Sequence, residues 1–283
     1  VSKFPGYGKL GGISEAKLEA GARVGLVRGK HNAADFVLWR AAKPNDLQQW
    51  DSPWGRGNPG WHIECSAMSR SLLGTEIDIH TGGEDLAMIH HNDEIAQSEA
   101  ASSRPFVRYW LHNAFLTMAG EKVSKSLGNV VYMSDITAKG YHPLALRYLF
   151  LQAHYRTPLS FSWESLSSAA AALDRLWKIS AAVAEESDKK GQLSTANAHF
   201  LAAMRDDLNT PQALGILWEA LKSEDYTPEE KWALIETADA HLGLMLTEPP
   251  QRAPSALEAV PKELEALLEK REAARVARDF TEA

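Results

Sequence analysis

The chain has 283 residues, 45% of them hydrophobic and 24% charged, proportions that fit a globular protein of one large or two ordinary domains and exclude both a disordered tail and a membrane protein. A net charge of -7 excludes a protein that coats nucleic acid over its whole surface. The single cysteine, Cys65, excludes an intrachain disulfide and points to a reducing compartment, the cytoplasm.

In chain order, the stretch Phe4 to Lys30 holds seven glycines around a short amphipathic run from Ser14 to Ala20, a density of breakers that makes a poor core. It starts with no capped helix and no leading strand, so the expectation is a fragment. Lys43 to Gly60, with Pro44, Pro53, Pro59, Trp50 and Trp54, reads as a long surface loop feeding Gly60 to Cys65. Between Trp61 and Asn129 short apolar runs alternate with helical stretches: Ile77-Asp78-Ile79, a helix over His91 to Ala101, and a strand over Tyr109 to Met118. That rhythm predicts a parallel sheet.

After Ser134 the periods become helical, over Pro143 to Gln152, Ser167 to Ala184, Asn197 to Leu208, Pro211 to Lys222 and Pro228 to Leu244, as in an appended bundle. Asn209-Thr210-Pro211 and Thr227-Pro228-Glu229-Glu230 mark helix starts. The prolines between Thr247 and Ser255 make a linker into a charged helix from Pro261, which meets no stop signal, so the C-terminal end also reads as cut.

Five of the ten histidines, His62, His80, His90, His91 and His112, share one stretch with the cysteine. His90 and Glu94 are four apart, so a helix puts them on one face, where they could share a metal, and Cys65 could add a thiolate. Cys, His and Glu are donors that zinc accepts, with a fourth place left over. A lone cysteine reads equally as a small hydrophobe. The run Gly120-Glu121-Lys122-Val123-Ser124-Lys125-Ser126-Leu127-Gly128-Asn129 could form a mobile polyphosphate-wrapping loop, although composition alone favours a solvated turn.

Taken together, Pro59-Gly60-Trp61-His62-Ile63-Glu64-Cys65, Ile77-Asp78-Ile79-His80-Thr81-Gly82-Gly83-Glu84-Asp85-Leu86, His90-His91 through Glu94 to Glu99, and the Lys-Val-Ser-Lys-Ser loop resemble the cysteinyl-tRNA synthetases. The resemblance continues through Leu146-Arg147-Tyr148, Ala153-His154-Tyr155-Arg156 and Asp206 to Pro211, and so covers essentially the whole chain.

It implies an α/β fold: the second half of a Rossmann-type class I synthetase catalytic domain, followed by an all-α bundle. The implied organisation is a remnant of a catalytic-domain insertion at 1–35, catalytic domain at 36–135, stem-contact region at 136–172, tRNA-contacting bundle at 173–246, and at 247–283 a linker and the start of an anticodon-recognition domain. The implied activity is ATP-dependent ligation of cysteine to its tRNA through cysteinyl-adenylate, with zinc selecting the thiolate and magnesium accompanying ATP, in a monomer without a membrane association.

Carried over by position, Cys65, His90 and Glu94 match three zinc ligands, the fourth being a cysteine expected before residue 1. Trp61 matches the tryptophan beside the substrate side chain. His62 and His80 match the floor of the cysteine pocket, and Asp85 an acidic residue of it. Lys122 and Lys125 belong to the ATP loop, usually written KMSKS, with Lys125 expected on phosphate. Val123 replaces the methionine of that loop, Thr81 a glycine, and Met88-Ile89 a Phe-Pro pair. The HIGH-type nucleotide motif is not in the chain, so the expectation is a piece incomplete for catalysis. Two other readings stay open: the related cysteine ligase of mycothiol synthesis, and a non-catalytic paralogue that binds zinc or tRNA. Arg147, Arg156, Lys178 and Arg205 are candidates for a tRNA face, and solvated charge accounts for each as well.

Overall fold

A computed structural model describes residues 1–11, 30–31, 34–118, 121–122, 130–188, 190–250 and 270. The chain divides into two units, Val1–Phe115 and Leu116–Ala283. Among the described residues no helix is long and apolar enough to cross a membrane.

In the first unit β1 (Trp39–Ala41) pairs antiparallel with β2 (Gly57–Pro59), Arg40 opposite Asn58. The segment expected to be loop throughout therefore ends in a strand. Two-residue alternation over three residues is too short to register in a sequence. Gly60 then turns the chain into α1 (Trp61–Leu73), where a Cβ would stand 2.0 Å from the carbonyl oxygen of Val37, so only glycine fits.

Next come β3 (Ile77–Gly83), α2 (Glu84–Met88), α3 (His90–Ser102) and β4 (Val107–Asn113). β3 and β4 pair in parallel, Ile77 opposite Val107 and Gly83 opposite Asn113, which makes the expected strand-helix-strand unit. Ile77, Ile95 and Phe106 form its buried core, with Phe4, Leu10, Val107 and Trp110 packed against them.

Residues 1–11 are tied to α3 despite their glycines. Asn92 accepts the N–H of Leu10 at 3.2 Å and donates its amide to the Leu10 carbonyl at 2.7 Å, and Lys9 pairs with Glu99 at 3.0 Å. The amphipathic run Ser14 to Ala20 lies outside the described residues.

The strand expected over Tyr109 to Met118 is two strands: β4 stops at Asn113, and β5 (Leu116–Met118) opens the second unit. There β5 lies between β6 (Glu121–Lys122), antiparallel, and β7 (Leu159–Phe161), parallel. Helices follow as α4 (Met133–Ala138), α5 (Pro143–Leu151), α6 (Trp163–Glu186), α7 (Thr195–Arg205), α8 (Thr210–Lys222) and α9 (Pro228–Leu242).

Their starts follow local chemistry. The Asn209 side chain accepts from the Gln212 N–H, and Thr227 forms a reciprocal cap with Glu230 behind Pro228. α6 starts at Trp163, earlier than Ser167, because Ser162 and Ser165 cap it reciprocally, and it runs on across residue 172. α7 stops at Arg205, short of Leu208: Asp207 and Leu208 take φ of 53° and 56°, a left-handed turn that brings the Asp207 carboxylate to Tyr155 and Arg156. Leu166, Leu173, Leu176, Phe200, Leu217, Leu234, Ile235 and Leu242 close the core, each fully buried leucine contributing about 1.5–3 kcal/mol. The linker and the helix expected from Pro261 lie outside the described residues except for 247–250 and Lys270.

Candidate active site

α1 and α3 pack side by side in the first unit and present their N-terminal turns to one another. On α1, Trp61 and Cys65 share a face by their four-residue spacing. Cys65 sits inside the helix, which begins at once after Gly60. On α3, His90 and Glu94 repeat that spacing. One donor atom each from Cys65, His90 and Glu94 lies within 4.8 Å of the others.

A wider set of rings surrounds this group. Trp61 stacks on His90 with centroids 4.3 Å apart. His62 Nδ1 lies 2.7 Å from His90 Nδ1, and His62 Nε2 lies 3.3 Å from Asp93. From β3, His80 brings Nε2 to 3.6 Å from the other oxygen of Glu94, so His80, His91 and Glu94 form a second convergent group on the same carboxylate. His91 meets His112 of β4 at 2.7 Å, and Trp110 tilts against both His80 and His91. Gly82 makes room for this, since a Cβ there would stand 2.6 Å from the His91 ring.

α3 has no solvent face here. His90 through Ala96 are consecutively buried, Asp93 and Glu94 completely. Burial pushes the Glu94 carboxyl up to about 7, with Asp93 adding, and pushes His90 down to about 4 and His91 to about 3, with neighbouring histidines adding. Asp93 is raised to about 7 by burial, against the hydrogen bond it accepts from the Tyr7 hydroxyl. Burial, with Glu94 and Glu64, also raises the Cys65 thiol.

Among the described residues neither buried oxygen of Glu94 has a hydrogen-bond donor. A buried acid and base whose charged forms are both disfavoured, beside a thiol, make a donor set that a soft divalent cation would relieve. The residues fit zinc on that ground.

The other sequence candidates fall differently. Asp85 is exposed on the first turn of α2 and lies against Gly83. Lys122 was expected in a loop, but its backbone forms a ladder pair with Thr117, a two-residue pairing that composition does not reveal. Lys125 lies outside the described residues. Arg147 donates to the Leu242 carbonyl, Arg156 pairs with Asp207 at 2.6 Å and Lys178 with Asp174 at 2.7 Å.

Sequence reasoning missed Tyr7, Asn92, Asp93 and Trp110. The available signal was the polar run His90-His91-Asn92-Asp93-Glu94 inside a helix without an apolar stripe, which is what a helix buried around a polar site shows.

Residues 1–171 match the family described as tRNA synthetases class I (C) catalytic domain, and 199–246 match the DALR domain. Curated relatives named cysteine--tRNA ligase include those of Nitrosomonas europaea, 41% identical over 100% of this chain and 63% of the relative, and Bacillus licheniformis, 43% identical over 98% and 62%. The relative from Pelobacter propionicus is 42% identical over 99% and 65%. The chain thus spans somewhat under two thirds of these relatives' length. Among solved structures, the LeuRS of Agrobacterium radiobacter K84, in a ternary complex with tRNA and LeuAMS, shares the fold: TM-score 0.53 at 14% identity, over 74% of this chain and 36% of that one.

Proposed function

The chain belongs to the family of class I (C) tRNA synthetase catalytic domains, and from that premise we propose that the protein carrying it joins cysteine to its tRNA, by way of cysteinyl-adenylate formed from ATP. The observation that carries this reading is the convergence of Cys65, His90 and Glu94 within 4.8 Å. The names of the relatives and the DALR match at 199–246 support it.

Cys65, His90 and Glu94 would hold zinc. When bound, that ion supplies a soft Lewis acid that prefers a thiolate to a hydroxyl, which separates cysteine from serine without an editing step. The protein's own residues do the rest. His62 holds the His90 ring through Nδ1, which leaves Nε2 directed to Glu94. Trp61, stacked on His90, walls the donors from water and gives the substrate side chain an apolar surface. His80 faces the second oxygen of Glu94 with Nε2 at 3.6 Å.

Asp85 supplies an anionic partner for the substrate's ammonium group. Lys122 and Lys125 place positive charge on the phosphates of ATP, which arrives with magnesium. The cysteine carboxylate then attacks the α-phosphate and pyrophosphate leaves, and the terminal ribose hydroxyl of the tRNA attacks the acyl carbon of the adenylate, taking the acyl group as AMP leaves. The organisation at 1–35, 36–135, 136–172, 173–246 and 247–283 belongs to this reading.

The test is ATP–pyrophosphate exchange by the natural protein that carries this sequence. Exchange should be strong with L-cysteine and negligible with L-serine. Equal exchange with both, or none with cysteine, would overturn the reading.

A further inference from the structure

An open cavity of about 600 Å³ lies in the second unit among α5, α6 and α8, within the roughly 300–1,000 Å³ of small-molecule sites. Its polar lining is Arg175, Lys222, Tyr148 and Gln152, and the rest is Trp218, Gly215 and aliphatic side chains with Pro211. Among the described residues no carboxylate lines it, in a chain whose net charge is -7. Among the described residues neither Arg175 nor Lys222 has an acidic partner; the acid adjoining Arg175 in sequence, Asp174, pairs with Lys178.

Two features show a built recess. Trp218 donates its indole N–H to the hydroxyl of buried Tyr148 at 2.8 Å, which fixes the ring, and Lys222 Nζ lies 5.1 Å from the ring centroid. Gly215 stands inside α8, where glycine costs about 1 kcal/mol relative to alanine. Among the described residues a Cβ there meets nothing within 4 Å, so none of their packing requires the glycine. It keeps open space beside a fixed aromatic surface and two cations that have no acidic partner among the described residues.

We propose that this cavity binds a nucleoside monophosphate, its base against Trp218 and the apolar wall and its phosphate between Arg175 and Lys222. Arginine offers the phosphate a planar fork and lysine a point charge from the opposite helix. The base gains stacking on the indole. The nucleotide is free in solution or the 5′ end of an RNA, both of which present the same chemistry.

The test is calorimetric titration of the chain with cytidine 5′-monophosphate, a pyrimidine chosen so that an adenine-nucleotide site is not read. Saturable binding is expected, with cytidine and inorganic phosphate each weaker. Arg175→Ala and Lys222→Ala should each weaken it about tenfold or more. Gly215→Leu should fill the cavity and abolish binding while leaving the melting temperature unchanged or higher.

A 5′-phosphorylated oligoribonucleotide that binds more tightly than the mononucleotide, and loses binding in the same variants, assigns the site to an RNA end. Equal or weaker binding assigns it to the free nucleotide. Absence of saturable binding by both, or binding that survives Gly215→Leu in a folded variant, overturns the proposal. Should Gly215→Leu fail to fold, undiminished binding in the Arg175→Ala, Lys222→Ala double variant does so.

Discussion

His90 Nε2 lies 2.7 Å from Oε1 of Glu94, one helical turn along α3, yet the approach lacks hydrogen-bond orientation, and among the described residues both oxygens of this completely buried side chain stay without a donor. An unpaired buried carboxylate is costly. Its retention beside Cys65 is what a cation site requires.

Glu94→Gln keeps the shape and removes the charge. Bound zinc, measured by metal analysis at buffered free zinc, should fall about tenfold or more with an unchanged circular dichroism spectrum. Unaltered zinc content in the variant would remove Glu94 from the ligand set.

Asn92 holds residues 1–11 to α3 through its two hydrogen bonds with the Leu10 backbone and donates also to the Ala87 carbonyl at 2.8 Å. Asn92→Ala should cost about 1–3 kcal/mol and loosen that segment. Hydrogen exchange at the Leu10 amide should accelerate. If it stays as slow as in the parent, the tether is elsewhere.

Asp239 closes the end of α9 by accepting the N–H of Leu244 at 3.0 Å, the N–H of Thr247 at 3.1 Å and the Thr247 hydroxyl at 2.8 Å. Burial pushes its carboxyl up, but these hydrogen bonds and one from the Leu246 backbone together bring it below 3.8. A depressed carboxylate stabilises fully above its unfolded value and loses that contribution as pH falls through the folded one. Asp239→Ala should therefore lose about 1–3 kcal/mol at neutral pH, with the gap closing below 3.8. Chemical melts at pH 7 and in acid read both arms, and a gap that persists in acid would contradict the assignment.

His142 caps α5 by accepting the Leu144 N–H on Nδ1 at 3.1 Å, and burial pushes its pKa below 6.5. Only the neutral ring can accept. Its contribution is complete above 6.5 and is lost as pH falls from there through the lower folded value. His142→Asn caps without titrating, so its melting temperature should decline less than the parent's between pH 7.5 and 5.5. Parallel declines would show that the ring is no cap.

Local chemistry was legible in the sequence. Asn209, Thr227 and Pro228 mark helix starts because a cap acts within three residues of itself, and the four-residue spacing of His90 and Glu94 puts them on one face because an α-helix has one period. The ordered motifs carried the family. Only the tertiary structure decided that Cys65 lies opposite that face, that the glycine-rich start is fastened to Asn92, that Asp207 turns left-handed to reach Arg156, and that the lining of the bundle cavity is basic. Each of these depends on where distant segments meet. Burial, shape and the field of neighbouring charges fix that meeting, and no window of sequence contains all three.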